Sequence, residues 1–310
     1  MGADMAVFAK ILVILGPTAS GKSALAMQLA RSTGAEILSA DSMQVYREMN
    51  IGTAKPTEQE QSSVRHHLID VVNPDEEFTV ARFVEMADQV IADAGRRGVP
   101  LIVSGGTPLY FKSLFVGLFQ GPPANSQLRE RLRLLGNQQL HERLRQVDAA
   151  AAARIHANDT KRMIRALEIF ELTGNPISSM QTEWEAARSR HEATWIGLLW
   201  DKERLNRRIN ARTKTMMGAG WVQETQRLLE RFGRLSPTAS EATGYRELID
   251  HLEGKASLDQ AIEQIKIGTR QLARKQMKWF KRFANVHWLL GDQAADSLVE
   301  QALRCWRQTQ

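Results

Sequence analysis

KILVILGPTASGKSALAMQLA, residues Lys10 to Ala30, combines an apolar run, a glycine-containing loop and an amphipathic run. Residues 11 to 15 predict a buried strand, and the spacing of Leu25, Ala26 and Leu29 predicts a helix. The loop between them fits the pattern G-x-x-x-x-G-K-[ST]. Its glycines let the backbone wrap around an oxyanion, and the N–H groups at the helix start point toward it. The stretch therefore predicts a P-loop that binds a di- or triphosphate.

Two side chains of this loop have separate predicted roles. Lys22 supplies a mobile positive charge, and the Ser23 hydroxyl can ligate a Mg²⁺ ion that bridges phosphate oxygens. Mg²⁺ is therefore the expected cofactor, with Ser23 as its protein ligand. The motif does not reveal which phosphate compound binds. The candidate diphosphate-binding residues are Gly16, Pro17, Thr18, Ala19, Ser20, Gly21, Lys22 and Ser23.

Composition and charge favour an intracellular globular protein with an acidic partner. The chain has 310 residues, 43% of them hydrophobic, with a net charge of +6 and a pI near 9.6. The excess is regional, since residues 201 to 288 contain 18 Lys and Arg against 10 Asp and Glu. The single cysteine, Cys305, excludes an intrachain disulfide. Without a secretory signal or a membrane-spanning apolar run, we expect a cytoplasmic protein, and we expect a monomer because no isolated apolar stripe demands a partner.

Two further strand ends carry candidate catalytic residues. Residues 35 to 39 predict a second strand, so Asp41 is expected near the P-loop at the carboxyl edge of a parallel sheet. Asp41 is thus the leading acid or base, although it also suits a cap on the next helical turn. Residues 100 to 104 predict a buried strand that ends in Gly105, Gly106 and Thr107. Thr107 is either a second site residue or the N-cap of a helix over 108 to 118.

Other polar residues nearby have less certain roles. Lys55, in a loop punctuated by glycine and proline, suits either a phosphate or solvent. Residues 66 to 72 predict a strand on which His66 and His67 point to opposite faces, so we interpret both as structural. No carboxylate ends the 101 to 104 strand, and Asp70 is the candidate to replace that second metal-binding acid.

The chain is organised as a sheet domain interrupted by helices. After Gly121-Pro122-Pro123 the pattern is nearly all helical, and residues 194 to 200 then predict one more core strand. We therefore predict an α/β fold of the P-loop nucleoside-triphosphate-hydrolase type, a parallel sheet with flanking helices. Its core comprises residues 1 to 121 and 195 to 310, and the part beyond Asp201 is expected to be helical. Residues 122 to 194 form an inserted all-helical subdomain.

A basic helix predicted over 270 to 283 indicates a nucleic-acid partner. Four cations recur every four residues along it: Arg270, Arg274, Lys278 and Arg282. Stacked like charges repel one another, which favours an anionic partner over simple solvation. The aromatic residues Trp279, Phe280 and Phe283 either stack on unpaired bases or anchor the helix, and we favour the core for Phe280 and Phe283.

Two classes of function remain at this point. A small-molecule kinase would share the P-loop, the sheet and the aspartate after the second strand. A nucleic-acid-binding transferase would also explain the helical insertion and the basic carboxyl-terminal half, which exceed the needs of a small metabolite.

A series of motifs resembles the tRNA dimethylallyltransferase family, also called tRNA isopentenyltransferases, in its bacterial form. The motifs follow in order over nearly the whole chain: GPTASGKS at 16 to 23, DSMQVY at 41 to 46, GTAKP at 52 to 56, HHLID at 66 to 70, GGTPLY at 105 to 110, RALE at 165 to 168, GYR at 244 to 246 and RQLARKQMKWF at 270 to 280.

The resemblance implies transfer of a dimethylallyl group from dimethylallyl diphosphate to N6 of the adenosine on the 3′ side of the anticodon, position 37. The substrates would be tRNAs that read codons beginning with U. Asp41 would be the base and Thr107 a second catalytic residue, and the P-loop would hold the diphosphate leaving group. The insertion would bind the anticodon stem-loop. The implied tRNA contacts are Asp41, Ser42, Met43, Gln44, Thr107, Arg129, Lys161, Arg162, Met163, Ile164, Arg165, Glu241, Ala242, Thr243, Gly244, Tyr245, Arg246, Arg274, Lys275, Gln276, Met277, Lys278, Trp279, Phe280 and Lys281.

Overall fold

The structure, a computed structural model, describes residues 11–117, 121–180 and 189–307. Strand β1 (Ile11–Leu15) is buried along its whole length, as expected for a strand covered on both faces. The P-loop follows, and helix α1 (Lys22–Thr33) ends at Gly34 in the left-handed conformation that only glycine adopts at little cost. The strand, loop and helix predicted for this stretch are confirmed.

One six-stranded sheet contains β1 together with β2 (Glu36–Ser39), β3 (His66–His67), β4 (Leu101–Gly105), β5 (Thr194–Leu199) and β6 (Val286–Leu290). The strand order is β3-β2-β4-β1-β5-β6, and every neighbouring pair is parallel. Strand β1 is central, and Leu15 at its carboxyl end pairs with Gly105 of β4. The loops after β1, β2 and β4 therefore leave the sheet at one edge.

Helices connect the strands and build both parts of the chain. In chain order after α1 they are α2 (Glu58–Ser63), α3 (Val80–Arg97), α4 (Pro108–Phe115), α5 (Ser126–Arg133), α6 (Asn137–Val147), α7 (Ala149–Arg154), α8 (Thr160–Thr173), α9 (Lys202–Gly218), α10 (Trp221–Phe232), α11 (Pro237–Ser240), α12 (Tyr245–Leu252), α13 (Leu258–Phe280) and α14 (Ala295–Arg307). Leu29 of α1 and Trp306 of α14 pack with Ile14 in one fully buried cluster, which anchors α1 against the sheet.

The chain divides into two compact units. The first comprises Met1–Leu114 and His191–Gln310, and the second is Phe115–Arg190. The second unit, which contains α5 to α8, has its own core, with Leu132, Leu144 and Met163 fully buried. The sequence predicted an insertion over residues 122 to 194, so each bound of the observed unit differs from the prediction by a few residues. Part of that predicted helical stretch, residues 181 to 188, lies outside the described residues.

Several elements differ from the sequence predictions. The strand predicted over 66 to 72 ends at His67, because Leu68 (φ 60°) and Asp70 (φ 55°) turn the backbone out of the extended region. Strand β6 was not predicted, since beyond residue 201 the sequence was interpreted as helical. Helix α4 ends at Phe115, and its predicted last residue, 118, lies outside the described residues. Among the described residues no helix is long and apolar enough to cross a membrane.

Candidate active site

The P-loop is shaped as an oxyanion cradle. Ala19 (φ 64°) and Gly21 (φ 91°) both adopt left-handed conformations, which bend the loop between β1 and α1. A Cβ atom at position 16 would lie 2.5 Å from Ser20 Oγ, so a side chain here would have to displace the Ser20 hydroxyl. The N–H groups of Lys22 and Ser23 open the helix and by position have no intrahelical acceptor. The loop therefore presents backbone donors and the positive end of α1 to an anion.

Lys22 is buried beneath this cradle. Its side chain is 9% exposed, and its ammonium donates to the Pro17 carbonyl oxygen at 3.5 Å. Burial lowers the pKa of Lys22 to about 8, against the opposing attraction of Asp41 and with further lowering by Arg212. A desolvated ammonium of this kind gains an energetically favourable partner when a phosphate arrives.

Two arginines of α9 join the P-loop, and the sequence analysis missed both. Arg208 donates through Nε to the Ala19 carbonyl oxygen at 2.8 Å, with its guanidinium 4.5 Å from the Trp200 ring centre. One helical turn later, Arg212 donates through Nη1 to Thr18 Oγ1 at 3.5 Å. Burial lowers the pKa of Arg212, with Asp41 opposing the shift. The available signal was the i, i+4 arginine pair on the first helix after a core strand.

Asp41 faces the cradle from the end of β2. Its Oδ1 accepts the Met43 N–H at 3.0 Å, and its charge acts on both Lys22 and Arg212. Oδ2 lies 3.5 Å from the position that a Cβ of Gly106 would occupy, and no described residue donates to it. The local turn suggested by the sequence is present, and the role of Asp41 as an acid or base stays a prediction. One oxygen fixes a local turn, and the other remains as an acceptor at the site.

Thr107 binds across the loops instead of capping α4. Its Oγ1 accepts the Ser42 N–H at 2.9 Å and donates to Ser42 Oγ at 3.2 Å. The two loops approach so closely that a Cβ at position 105 would lie 2.1 Å from the Ala40 carbonyl oxygen. The glycine at the end of β4 is thus required by backbone contact, and Thr107 binds the segment after Asp41. Nearby, the Gln44 side chain donates to the carbonyl oxygens of Thr53 and Ala54, both at 3.3 Å.

Lys55 and Asp70 form an ion pair, which resolves their open roles. Lys55 Nζ donates to Asp70 Oδ1 at 2.6 Å, to the Tyr46 carbonyl oxygen at 2.7 Å and to Asn50 Oδ1 at 2.8 Å. The lysine side chain is 3% exposed, so it serves neither phosphate nor solvent. Because Asp70 is bound to Lys55, we no longer assign it as a replacement metal-binding acid. His66 and His67 bind the Val64 carbonyl oxygen and Glu36 respectively, as expected of structural residues.

Helix α13 presents cations on one face and buried residues on the other. Arg274, Lys275, Lys278 and Lys281 are exposed, and none of them forms an ion pair with a described acidic residue. Gln276 and Phe280 are buried, with 6% and 0% exposure, so their side chains are not available to RNA as the family resemblance had implied. Phe280 packs edge-on against Phe111, and Phe283 stacks on Trp195 at 5.2 Å, which confirms the preference for the core. Met277 and Trp279 are half-buried.

Buried residues support the turn at 241 to 246. Tyr245 is fully buried and donates through its hydroxyl to Glu224 at 2.6 Å. Glu224 also accepts the N–H groups of Asn50 and Ile51. Ala242, Gly244 and Tyr245 are thus support residues and not the RNA contacts that the resemblance implied. Glu241 and Arg246 are exposed, and Thr243 is half-buried.

Comparison with known proteins places the chain in a family. The family model described as IPP transferase matches residues 44–283. The chain belongs to this family. A tRNA dimethylallyltransferase of Acetivibrio thermocellus is 44% identical over 288 residues, which cover 91% of this chain and 92% of the relative. One of Geobacter metallireducens is 43% identical, covering 95% of this chain and 96% of the relative.

Solved structures agree with the IPP transferase assignment. A tRNA isopentenylpyrophosphate transferase from Staphylococcus epidermidis matches with a TM-score of 0.70 at 35% identity, covering 95% of this chain and 97% of the other. A eukaryotic dimethylallyltransferase described as acting on tRNA matches with a TM-score of 0.82 at 29% identity, covering 95% of this chain and 77% of the other.

In the helical unit of the chain, two of the predicted RNA contacts bind a buried glutamate. Arg129 forms two hydrogen bonds with Glu168, both at 2.8 Å, and Arg165 donates to the same carboxylate at 2.5 Å. Glu168 is fully buried. Met163 and Ile164 belong to the apolar core of the unit, so we correct their assignment as RNA contacts. Lys161 and Arg162 are exposed.

The donor set suits a metal ion that arrives with a diphosphate. Ser23 is exposed at the start of α1. Across residues 11–117, 121–180 and 189–307, no three His, Cys, Asp or Glu side chains form a metal-binding group. Mg²⁺ commonly combines a few protein oxygens with substrate phosphates and water. A single hydroxyl at a phosphate cradle fits that pattern.

Proposed function

We propose that this chain transfers a dimethylallyl group from dimethylallyl diphosphate to N6 of adenosine 37 in tRNAs that read codons beginning with U. The observation that carries the proposal is the arrangement of Asp41 opposite a cradle lined by Lys22 and Arg212. A carboxylate acceptor facing a diphosphate site is what an alkyl transfer to a weakly nucleophilic amine requires. The names of the relatives contain the dimethylallyl group and tRNA, and the resemblance of the motifs implies the position within tRNA.

The bond changes follow from this geometry. The N6 amine attacks C1 of the dimethylallyl group, a C–N bond forms, and the C1–O bond to diphosphate breaks. Asp41 accepts the proton that N6 loses. Thr107 positions Asp41 through the Ser42 N–H, and the carboxylate remains hydrogen-bonded to the Met43 N–H.

The P-loop would stabilise the diphosphate as it leaves. Lys22, Arg212 and the N–H groups at the start of α1 would neutralise the charge that develops on the departing diphosphate. Arg208 keeps the Ala19 carbonyl oxygen turned toward itself, which leaves N–H groups to line the cradle. Mg²⁺ would be held by Ser23 together with phosphate oxygens, and when bound it would supply further charge neutralisation.

Recognition of tRNA would use two surfaces. The exposed cations of α13 would bind phosphates, and Lys161 and Arg162 of the helical unit would contact the anticodon stem-loop. The reacting adenosine must leave its stack to reach Asp41. We further propose that the protein acts as a monomer.

Labelled donors test the function directly. The protein is incubated with unmodified tRNA and Mg²⁺, in one reaction with dimethylallyl diphosphate labelled in the prenyl group and in another with ATP labelled in the γ-phosphate. We expect prenyl label in RNA, on N6 of adenosine 37 after nuclease digestion, and none without divalent cation. Phosphate transfer from ATP without prenyl label in RNA would instead identify a kinase and overturn the proposal.

A further inference from the structure

We propose that Gln276 is a positioning residue that sets the spacing between the diphosphate cradle and the acceptor side of the active site. Its carboxamide joins two loops that are far apart in sequence. Oε1 accepts the Thr18 N–H at 2.8 Å, and Nε2 donates to the Gly106 carbonyl oxygen at 2.6 Å. The inference rests on the proposed function, because it assigns the two loops to the two substrates.

The contact requires a side chain that can both accept and donate a hydrogen bond, as the neutral amide of Gln276 does. The P-loop presents a donor, and the turn after β4 presents an acceptor, so the side chain between them must do both. The site is also closed, since Gln276 is 6% exposed and a Cβ at position 106 would lie 2.8 Å from Nε2. A buried donor or acceptor without a partner is unfavourable, which fixes the amide in this one orientation.

Each end of the bridge leads to a different reacting group. Thr18 precedes the left-handed Ala19, and its hydroxyl lies beside Arg212. Gly106 precedes Thr107 and lies against the Oδ2 side of Asp41. Gln276 thus connects the P-loop, which would bind the leaving diphosphate, to the turn after β4, which lies beside Asp41.

Spacing between these loops matters because the transfer is a displacement. The attacking nitrogen and C1 must approach to about 3 to 3.5 Å in line, and a misplacement of about 1 Å is enough to lower a rate roughly 10²-fold. Gln276 contacts none of the groups assigned to neutralise the diphosphate, which are Lys22, Arg212 and the N–H groups at the start of α1. Loss of the bridge should therefore lower the rate of transfer and leave both separate affinities almost unchanged.

Helix α13 also ties this bridge to the cationic face. Ala273, Gln276 and Phe280 are buried on one side, whereas Arg274 and Lys278 are exposed on the other. RNA bound to the exposed side would be fixed in distance from the cradle through the amide on the buried side.

The test compares Gln276→Met, which keeps the side-chain length without these hydrogen bonds, with Gln276→Glu. The glutamate keeps the acceptor for the Thr18 N–H and opposes the Gly106 carbonyl oxygen only when its carboxyl is ionised. The control is Gln271→Met, the same change at an exposed residue of the same helix. The measurements are the single-turnover rate at saturating donor and tRNA, the Kd of inorganic diphosphate with Mg²⁺, the Kd of an unmodified anticodon hairpin, and the melting temperature.

We expect Gln276→Met to lower the single-turnover rate about 10- to 100-fold, with each Kd within about threefold of the parent. Relative to the parent, the rate of Gln276→Glu should fall as the pH rises and its carboxyl ionises. Gln271→Met should match the parent in every measurement. An unchanged rate in Gln276→Met would overturn the positioning role, and so would parallel losses of rate, both affinities and melting temperature. Absence of transfer by the parent protein would instead overturn the proposed function, so the two failures are distinct.

Discussion

Contacts of the neighbouring backbone fix the position of Asp41. The close approach of Gly105 to Ala40 and the bond from the Ser42 N–H to Thr107 define the segment that carries it. One carboxylate oxygen accepts the Met43 N–H, and the charge of the carboxylate acts on Lys22 and Arg212 of the cradle. An oriented acceptor is what removal of a proton from an adenine amine needs.

Replacing Asp41 should lower the rate of transfer and leave the affinity for the anticodon hairpin almost unchanged. In Asp41→Asn the Oδ1 acceptor for Met43 is retained and the base is lost, so we expect single-turnover transfer to fall by roughly 10² or more. In Asp41→Ala the turn is lost as well, and we expect a fall at least as large. Hairpin binding, measured by fluorescence anisotropy, should stay near that of the parent. Transfer by Asp41→Asn close to the parental rate would remove Asp41 from the mechanism.

Lys22 should make diphosphate binding depend on pH. Its pKa in the folded protein is about 8, so the free enzyme loses this charge as the pH rises through that value. We expect the Kd of inorganic diphosphate to increase above pH 8, beyond any change caused by the ionisation of diphosphate itself. Titration calorimetry of the parent and of Lys22→Met between pH 7 and 9.5 separates the two effects. An identical pH profile in both proteins would contradict this assignment.

The same residue should lower the stability of the fold. The pKa of Lys22 falls from 10.5 in the unfolded chain to about 8, so at neutral pH its buried charge costs about 3 kcal/mol. Between pH 8 and 10.5 the unfolded chain binds a proton that the folded chain does not, and this contribution makes stability rise with pH. Lys22→Met should therefore raise the free energy of unfolding at pH 7 while it weakens diphosphate binding. Lys202→Met, at an exposed residue, should change neither.

Among the elements, α13 serves both the core and the surface. Its buried side packs Phe280 and positions Gln276, and its exposed side carries cations without acidic partners among the described residues. The apolar and cationic residues alternate with helical spacing, so one element can face the site and an RNA backbone at once.

Reversing charge on α13 should weaken tRNA binding and reduce its salt dependence. In Arg274→Glu plus Lys278→Glu, we expect the slope of log K against log salt to become shallower by about 1 to 2, because up to two phosphate contacts are lost. Hairpin affinity is measured at several salt concentrations. The control, Lys202→Glu plus Arg304→Glu, makes the same change in net charge on α9 and α14. If the two double variants bind alike, α13 is not a specific RNA surface.

The sequence predicted the elements whose signals are local. Strand β1, the P-loop, α1 and the position of Asp41 follow from short-range pattern and from the geometry of parallel sheets. Edge strand β6 was missed because a short apolar run, here Val286 to Leu290, does not by itself distinguish a strand from a helical segment. The bridging role of Gln276 could not be predicted, since its partner Thr18 lies 258 residues away. Arg208 and Glu224 likewise depend on contacts that only folding brings together.

For the whole molecule, the helical unit is a self-contained insertion. Its ends meet where the Arg190 N–H donates to the Phe115 carbonyl oxygen at 2.8 Å. Inside it, Glu168 is fully buried and binds Arg129, Arg165 and the Asn125 N–H. Burial alone would raise the pKa of Glu168, but these bonds outweigh it and the pKa is lowered. The contribution to stability is present above the ordinary pKa of glutamate and is lost as pH falls through the folded value.

Removing this carboxylate should destabilise the helical unit. Glu168→Gln leaves two arginines without a buried counter-ion, and we expect a loss of about 3 kcal/mol in the free energy of unfolding, measured in urea. The matched control is Glu171→Gln, whose arginine partners Arg131 and Arg143 are exposed. Its loss should be below about 1 kcal/mol. If the two variants lose the same free energy of unfolding, burial of Glu168 does not make its ion pairs more important for stability than exposed ones.

The central claim is that one site holds a prenyl diphosphate in a P-loop and a flipped adenine amine at an aspartate. The most direct measurement is a crystal structure with an unmodified anticodon hairpin and an unreactive analogue of dimethylallyl diphosphate. The account predicts the diphosphate within hydrogen-bond distance of Lys22, Arg212 and the N–H groups at the start of α1, and N6 of adenosine 37 within about 3 Å of Asp41. A donor bound away from residues 16 to 23, or an amine far from Asp41, would contradict it.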